Sequence, residues 1–142
     1  MFKFTYPVAL TPDKEDGGLI ISFRDIPEAI TQGETIQEAL LEATDCLDEA
    51  ISGRIDDGMD IPVPSKQRKG EYKVSVPLQT AMKTALYLAI NDAGITKVEL
   101  AKRINVNEKE ARRMLDPHHG TKLPSLERAL IALGKTPELH VL

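Results

Sequence analysis

Tryptophan is absent from this 142-residue chain, aromatic residues of all kinds make up 4%, and there is a single cysteine. With so few rings, Leu, Ile, Val and Ala must fill the interior. A lone Cys46 cannot close an internal disulfide, which suits a reducing cytoplasm. Its neighbours at helical spacing are apolar, so it reads as a buried structural thiol rather than a nucleophile. No apolar run approaches the ~20 residues of a membrane helix. The opening MFKFTYPVAL alternates instead of forming the unbroken apolar block of a signal peptide. These absences predict a cytoplasmic protein with no membrane partner. Positive charge is also scarce, but only in one part of the chain. Residues 1–62 carry 4 Lys+Arg against 14 Asp+Glu, a balance of -10, whereas residues 63–142 carry 14 against 8, a balance of +6. Two regions of opposite sign point to two partners of opposite sign; the plainer alternative is two solvated surfaces that differ by chance.

Periodicity also divides the chain in two, at a later point. Phe2, Phe4, Tyr6, Val8 and Leu10 alternate with Lys3, Thr5, Pro7 and Ala9, as in a half-buried strand. Pro7 lacks a ladder donor, so this strand lies at an edge or pairs on one side there. The turn PDKEDGG leads to LIISF, with Leu19, Ile21 and Phe23 on one face, and a short third strand around Ala29 to Gln32 closes at Gly33. Thr35 and Glu38 have capping-box spacing. Ile36, Ala39, Leu40, Ala43, Leu47, Ala50 and Ile51 then make one helical stripe, with Gly53 as the expected stop. Glu38, Glu42, Asp45 and Glu49 occupy the opposite face. After the loop DIPVPSKQRKG, Tyr72, Val74 and Val76 alternate in a fourth strand, which places a domain boundary near Pro77.

Beyond Pro77 the pattern is helical. Leu78, Ala81, Met82, Ala85, Leu88 and Ala89 form an apolar face ending at Gly94. Thr96 and Glu99 cap the short helix KVELAKRI; NVN turns the chain; EKEARRML follows with Asn107 as its cap; and PSLERALIAL ends at Gly134. The tail ELHVL reads as a possible terminal strand. Within residues 97–116, Leu100, Ala101, Ile104, Val106, Ala111 and Met114 point inward, and Ala101 is small where two helices must cross. Asn105 must turn the chain sharply, a task for Gly or, next best, Asn. This is the pattern of a DNA-binding helix-turn-helix, whose second helix enters the major groove; a helical hairpin with a solvated basic face is the alternative. Glu108, Lys109, Arg112 and Arg113 remain on the outward side, with Asn107 at the helix start. Arg can grip guanine O6 and N7, and Asn can grip adenine, through paired hydrogen bonds. Thr96, Lys97 and Lys122 are placed for phosphates.

The segment DIPEAITQGETIQEALLEA resembles the signature of the HicB antitoxins. The matching elements are Asp25-Ile26-Pro27, then Thr31-Gln32-Gly33-Glu34-Thr35, then Glu38-Ala39. The hairpin PVALTPDKEDGGLIISF, the strand VSVPL and the closing TKLPSLERALIALGK resemble that family too; Asn105 departs from it, where many such turns carry Gly. The resemblance implies an α+β chain in two domains. Residues 1–77 would form a truncated ribonuclease H-like β-β-β-α-β domain that binds a HicA-type toxin, itself a histidine-dependent mRNA-cleaving protein. Residues 78–142 would form an all-α helix-turn-helix domain of the Cro/C1-like kind that binds operator DNA, represses the operon and dimerises, with the tail strand suited to a sheet shared between subunits. An RNA-cleaving toxin needs a basic surface, which the acidic domain complements. Two surfaces are open for that contact: the helix face of Glu38, Glu42, Asp45 and Glu49, or the exposed strands with the Asp13 to Asp16 loop. The competing role is a ligand-sensing transcription regulator without a toxin partner.

Catalysis is not expected. Nucleases with the ribonuclease H-like fold hold two metal ions on strand carboxylates, and neither FKFTYPVAL nor LIISF contains Asp or Glu. His118 and His119 are adjacent on a loop, with no Cys or acidic cluster to complete a metal site, and fit better beside DNA phosphates. No cofactor motif is present.

Overall fold

The computed structural model describes residues 1–142. The chain divides into two compact units, Met1–Pro77 and Leu78–Leu142. In the first, β1 (Thr5–Pro12), β2 (Leu19–Ser22), β3 (Ile30–Gly33) and β4 (Tyr72–Ser75) form one antiparallel sheet in the order β3-β2-β1-β4, and α1 (Ile36–Asp56) packs across it. The second unit contains α2 (Leu78–Ala93), α3 (Lys97–Arg103), α4 (Glu108–Leu115) and α5 (Leu123–Ala132).

β1 is central, not an edge strand. Its first half pairs with β4, Thr5 opposite Ser75 through Val8 opposite Tyr72, and its second half pairs with β2, Ala9 opposite Ser22 through Pro12 opposite Leu19. Pro7 therefore sits where a neighbour is present on one side only, so its missing N–H interrupts no ladder. Tyr6, Val8, Ile21, Phe23, Ala39, Ala43, Leu47 and Ile51 are essentially inaccessible and make the core between sheet and helix. Burial pushes the Tyr6 phenol up to about 12, with the nearby Asp25 charge adding to the effect. Its O–H donates to the Pro62 carbonyl at 2.6 Å, so the buried hydroxyl is satisfied. Asp25 holds the same loop by accepting from the Ser65 N–H at 2.8 Å and from the Ser65 hydroxyl. The long loop after α1 is thus tied down by polar side chains at strand ends.

The Thr35 hydroxyl oxygen accepts from the Glu38 N–H at 3.2 Å and starts α1. The helix does not stop at Gly53; it runs three residues further. Gly58 adopts φ +67°, with its N–H donating to the Ile55 carbonyl at 3.2 Å and the Met59 N–H donating to the Arg54 carbonyl at 2.8 Å. These are the two bonds of a Schellman termination. Gly53 carries no such turn, and a glycine inside a long helix costs only about 1 kcal/mol.

α2 also departs from expectation. Its buried residues are Thr80, Ala81, Lys83, Thr84, Leu86, Ala89 and Ile90, whereas Leu78 is 53% exposed. The stripe runs through Leu86 and Ile90 and includes a lysine, because polar partners for that lysine exist in three dimensions only. Leu86, Ala89, Ile90, Leu100, Ala101, Ile104, Ala111, Met114, Leu115, Leu126, Ala129 and Leu130 form the core of this unit. The tail ELHVL is not a strand in the single chain. Leu139, Val141 and Leu142 are largely exposed, since an extended segment with no partner has nowhere to place its backbone hydrogen bonds.

Candidate nucleic-acid and protein-binding surfaces

The basic surface begins with the joint between α3 and α4. Thr96 caps α3 by accepting from the Glu99 N–H at 3.1 Å. At the other end Asn105 takes φ +55°, the one non-glycine residue with positive φ. Its N–H donates to the Lys102 carbonyl at 3.3 Å, and the Val106 N–H donates to the Ala101 carbonyl at 3.0 Å. The pattern is the same glycine-type termination seen after α1, made here with asparagine. It delivers Val106 onto the helical core and redirects the chain into α4. Asn tolerates the left-handed region because its short amide bonds locally. Asn105→Ala should lower thermal stability by about 1–2 kcal/mol, while Asn105→Gly should leave it unchanged or slightly higher; a calorimetric melt of both variants checks this.

α4 carries the outward residues expected of it. Ala111, Met114 and Leu115 are buried, while Glu108, Lys109, Arg112 and Arg113 are exposed. The cap expected at Asn107 is present, and Arg112 has a local partner that the spacing did not single out. The Asn107 Oδ1 accepts from the Glu110 N–H at 2.8 Å as the helix cap, which occupies half of the pair an adenine contact would use. The Arg112 guanidinium donates to the Glu108 carboxylate one turn earlier. Lys97 and Lys122 are exposed; Lys122 occupies the cap position of α5, with no side-chain cap bond. The Thr96 oxygen is engaged as an acceptor at its cap, and its O–H is left to donate.

Lys83 has no counterpart in the sequence reading. It is fully buried in α2, and its ammonium donates to the Arg113 and Asp116 carbonyls, each at 2.8 Å, to the Thr121 hydroxyl at 2.8 Å, and to the His119 carbonyl. One turn earlier on α2, Gln79 exchanges two bonds with the Thr121 backbone, at 3.0 and 3.2 Å. The available signal was spacing: Lys83 lies three and seven residues before Leu86 and Ile90, on their side of the helix.

The acidic surface lies on the first unit. An open groove of about 450 Å³ runs between β3 and α1, lined by Glu28, Ala29, Ile30 and Thr31 on one side and by Glu42, Asp45, Cys46, Glu49 and Ala50 on the other. Glu42, Asp45 and Glu49 thus converge on it, whereas Glu38 is exposed but not part of its lining. Ile30 contributes an apolar surface that is 63% exposed, at the open edge of the sheet. Glu28 is bound by Arg54 through two hydrogen bonds of 2.6 and 2.8 Å, and this bonding holds its carboxyl below the usual range. Cys46 is only partly buried. Burial, helped by the Glu42 charge, pushes its thiol up, which keeps it protonated and unreactive at neutral pH.

The HicB_like antitoxin of bacterial toxin-antitoxin systems is the family whose model matches residues 5–85. The chain is 44% identical over 130 residues to Antitoxin HicB of Escherichia coli K12, covering 92% of this chain and 94% of that one. The chain belongs to the HicB antitoxin family. Antitoxin HicB 1 of Photorhabdus laumondii is 41% identical over 136 residues, covering 96% and 86% of the two chains. Antitoxin HicB of Pseudomonas fluorescens Pf0-1 is 33% identical over 142 residues, covering 99% and 94%. These alignments extend through the helical unit, beyond the family match. As a HicB-family chain it is therefore similar to antitoxins along nearly its whole length. No helix is long and apolar enough to cross a membrane.

Proposed function

We propose that this HicB-family chain neutralises a HicA-type mRNA-cleaving toxin through Met1–Pro77 and represses its own operon by binding operator DNA through Leu78–Leu142. The observation that carries this reading is the separation of charge onto two folded units. An acidic groove with an apolar rim lies on one, and a capped basic helix lies on the other. The first unit is read as a truncated ribonuclease H-like domain without catalytic function. Its strands β1 and β2 carry no carboxylate, and the carboxylates of Asp25 and Glu28 are already bound to Ser65 and Arg54. The second is read as a helix-turn-helix of the Cro/C1-like kind, with α4 as the recognition helix. Arg113, Lys109 and Arg112, once released from Glu108, face the bases; Thr96, Lys97 and Lys122 face phosphates; Asn107 chiefly caps the helix. The exposed, unpaired tail supports a homodimer in which two tails add to each other as strands.

Of the two acidic surfaces, the groove is the better toxin site. It combines converging negative charge with exposed Ile30, and interfaces need an apolar centre as well as complementary charge. The toxin is then a small basic protein whose RNA-binding face is covered. Co-expression with the protein encoded beside this gene, followed by purification through a tag on the antitoxin, tests the partnership. Replacing Glu42, Asp45 and Glu49 together by Lys should slow association about tenfold or more at low salt and leave the melting of the chain nearly unchanged. Unchanged association kinetics by surface plasmon resonance would remove the groove as the site.

A further inference from the structure

A buried lysine coordinating four oxygen atoms is an expensive way to fill a helix interface. Methionine has a similar length and would cost no desolvation. What the ammonium does is geometric. The Arg113 and Asp116 carbonyls belong to the end of α4, where backbone acceptors lack helical partners and the helix dipole places negative charge. The His119 carbonyl and Thr121 hydroxyl belong to the loop that follows. A single positive point therefore binds the last turn of the basic helix to the loop before α5, and Gln79 fastens the same loop through Thr121. Arg112, Arg113, His118, His119 and Lys122, all exposed, ride on this segment.

We propose that Lys83 is a positioning residue for DNA binding: its ammonium fixes the end of α4 and the 116–121 loop in the arrangement that presents their cationic side chains to one DNA backbone. The inference rests on the DNA-binding reading of Leu78–Leu142. It implies that DNA binding needs the protonated amine. A neutral amine has two protons for four acceptors and no charge with which to gather them.

Burial lowers the Lys83 ammonium from its ordinary 10.5 to about 8, against the opposing pull of the Asp116 and Glu110 charges. The bound segment also carries Arg113, His118 and His119, and α5, which packs on α2, carries Glu127 and Arg128; all of them are exposed. Added phosphates favour the ammonium, so binding DNA above the free value requires uptake of a proton. Stability follows the opposite course. Between about pH 8 and 10.5 the unfolded chain holds this proton and the folded chain does not, so Lys83 makes folding more favourable as pH rises through that window. A loss of DNA affinity there is not a loss of fold.

The test uses the full-length protein and labelled duplex DNA from immediately upstream of its gene, at constant ionic strength. Wild-type affinity should be about tenfold weaker one pH unit above 8 than at neutral pH. Calorimetry in two buffers of different ionisation enthalpy should show uptake approaching one proton per chain near the upper end of that range. Lys83→Met should bind weakly at neutral pH and show no slope. Arg113→Ala should bind weakly yet keep the wild-type slope. If Lys83→Met fails to fold, the wild-type slope and proton uptake still decide, and Thr121→Val, which removes one acceptor, should weaken binding severalfold. A flat wild-type profile with no proton uptake overturns the inference while leaving DNA binding intact. Failure of the wild type to bind this DNA at any pH overturns the DNA-binding reading, and the inference with it.

Discussion

Replacing Gly33 by Ala is expected to destabilise the first unit by about 3 kcal/mol, near the upper end of what overpacking usually costs. Gly33 is the buried last residue of β3, paired with Leu19. A Cβ there would lie 2.7 Å from the Ala39 Cα and 2.8 Å from the Ala39 nitrogen. Neither atom belongs to a flexible side chain. The sheet and the first turn of α1 would have to separate, opening the core that Ile21, Phe23, Ala39 and Ala43 share. Gly18 supports the same joint from the other side: it has φ +73°, and its own Cβ would lie 2.8 Å from the Gly33 carbonyl. Urea unfolding followed by far-ultraviolet circular dichroism measures the effect. Because the strain is confined to Met1–Pro77, toxin neutralisation should suffer far more than DNA binding. Wild-type stability in Gly33→Ala would mean that the helix is free to shift, contrary to this packing. The glycine in the Thr-x-Gly-x-Thr segment is thus a spacing requirement between strand and helix.

The second large effect concerns α4. Arg113→Ala should weaken operator binding by roughly 1–3 kcal/mol if its guanidinium reads a guanine, and should relax the preference at that one position. If it contacts a phosphate instead, affinity should fall equally for all sequences, and the slope of log affinity against log salt should decrease by about one. Competition binding against operator and scrambled duplexes at several salt concentrations separates these two outcomes. Arg112→Ala should have a smaller effect, because Arg112 must first leave Glu108 before it serves DNA. Neither substitution should impair toxin binding. Joint loss of both activities would count against independent roles for the two units.

Local pattern made much of this protein legible. The alternation in residues 2–10, the caps at Thr35, Thr96 and Asn107, and the inward set from Leu100 to Met114 each depend on neighbours within a few positions. The structure reproduces the caps and the inward set, whereas the first strand runs over Thr5–Pro12 and buries Pro7 together with Tyr6 and Val8. The motif around Asp25–Ala39 was enough to point to the family. The errors share a cause as well. Gly53 and Gly58 look alike as stop signals, and only the backbone bonds after Ile55 distinguish them. Pro7 left two arrangements open, an edge strand or one-sided pairing, and only the register shows the second, because the two neighbours of β1 cover different halves. The tail alternates like a strand but finds no partner within its own chain.

Lys83 marks the boundary most clearly. By itself the sequence determined that residues 78–93 form a helix, that residues 97–115 form two more joined by a turn at Asn105, and that positive charge gathers on the last of these. It could not assign a lysine to the interior, because burial of a charge depends on partners 30 to 38 residues away. Helix period and capping are set by short-range sterics and hydrogen bonds, which residue type reports directly. The cost of burying an ammonium is offset only by oxygens that the tertiary fold brings together, so the fold alone decided that Lys83 would hold the end of α4.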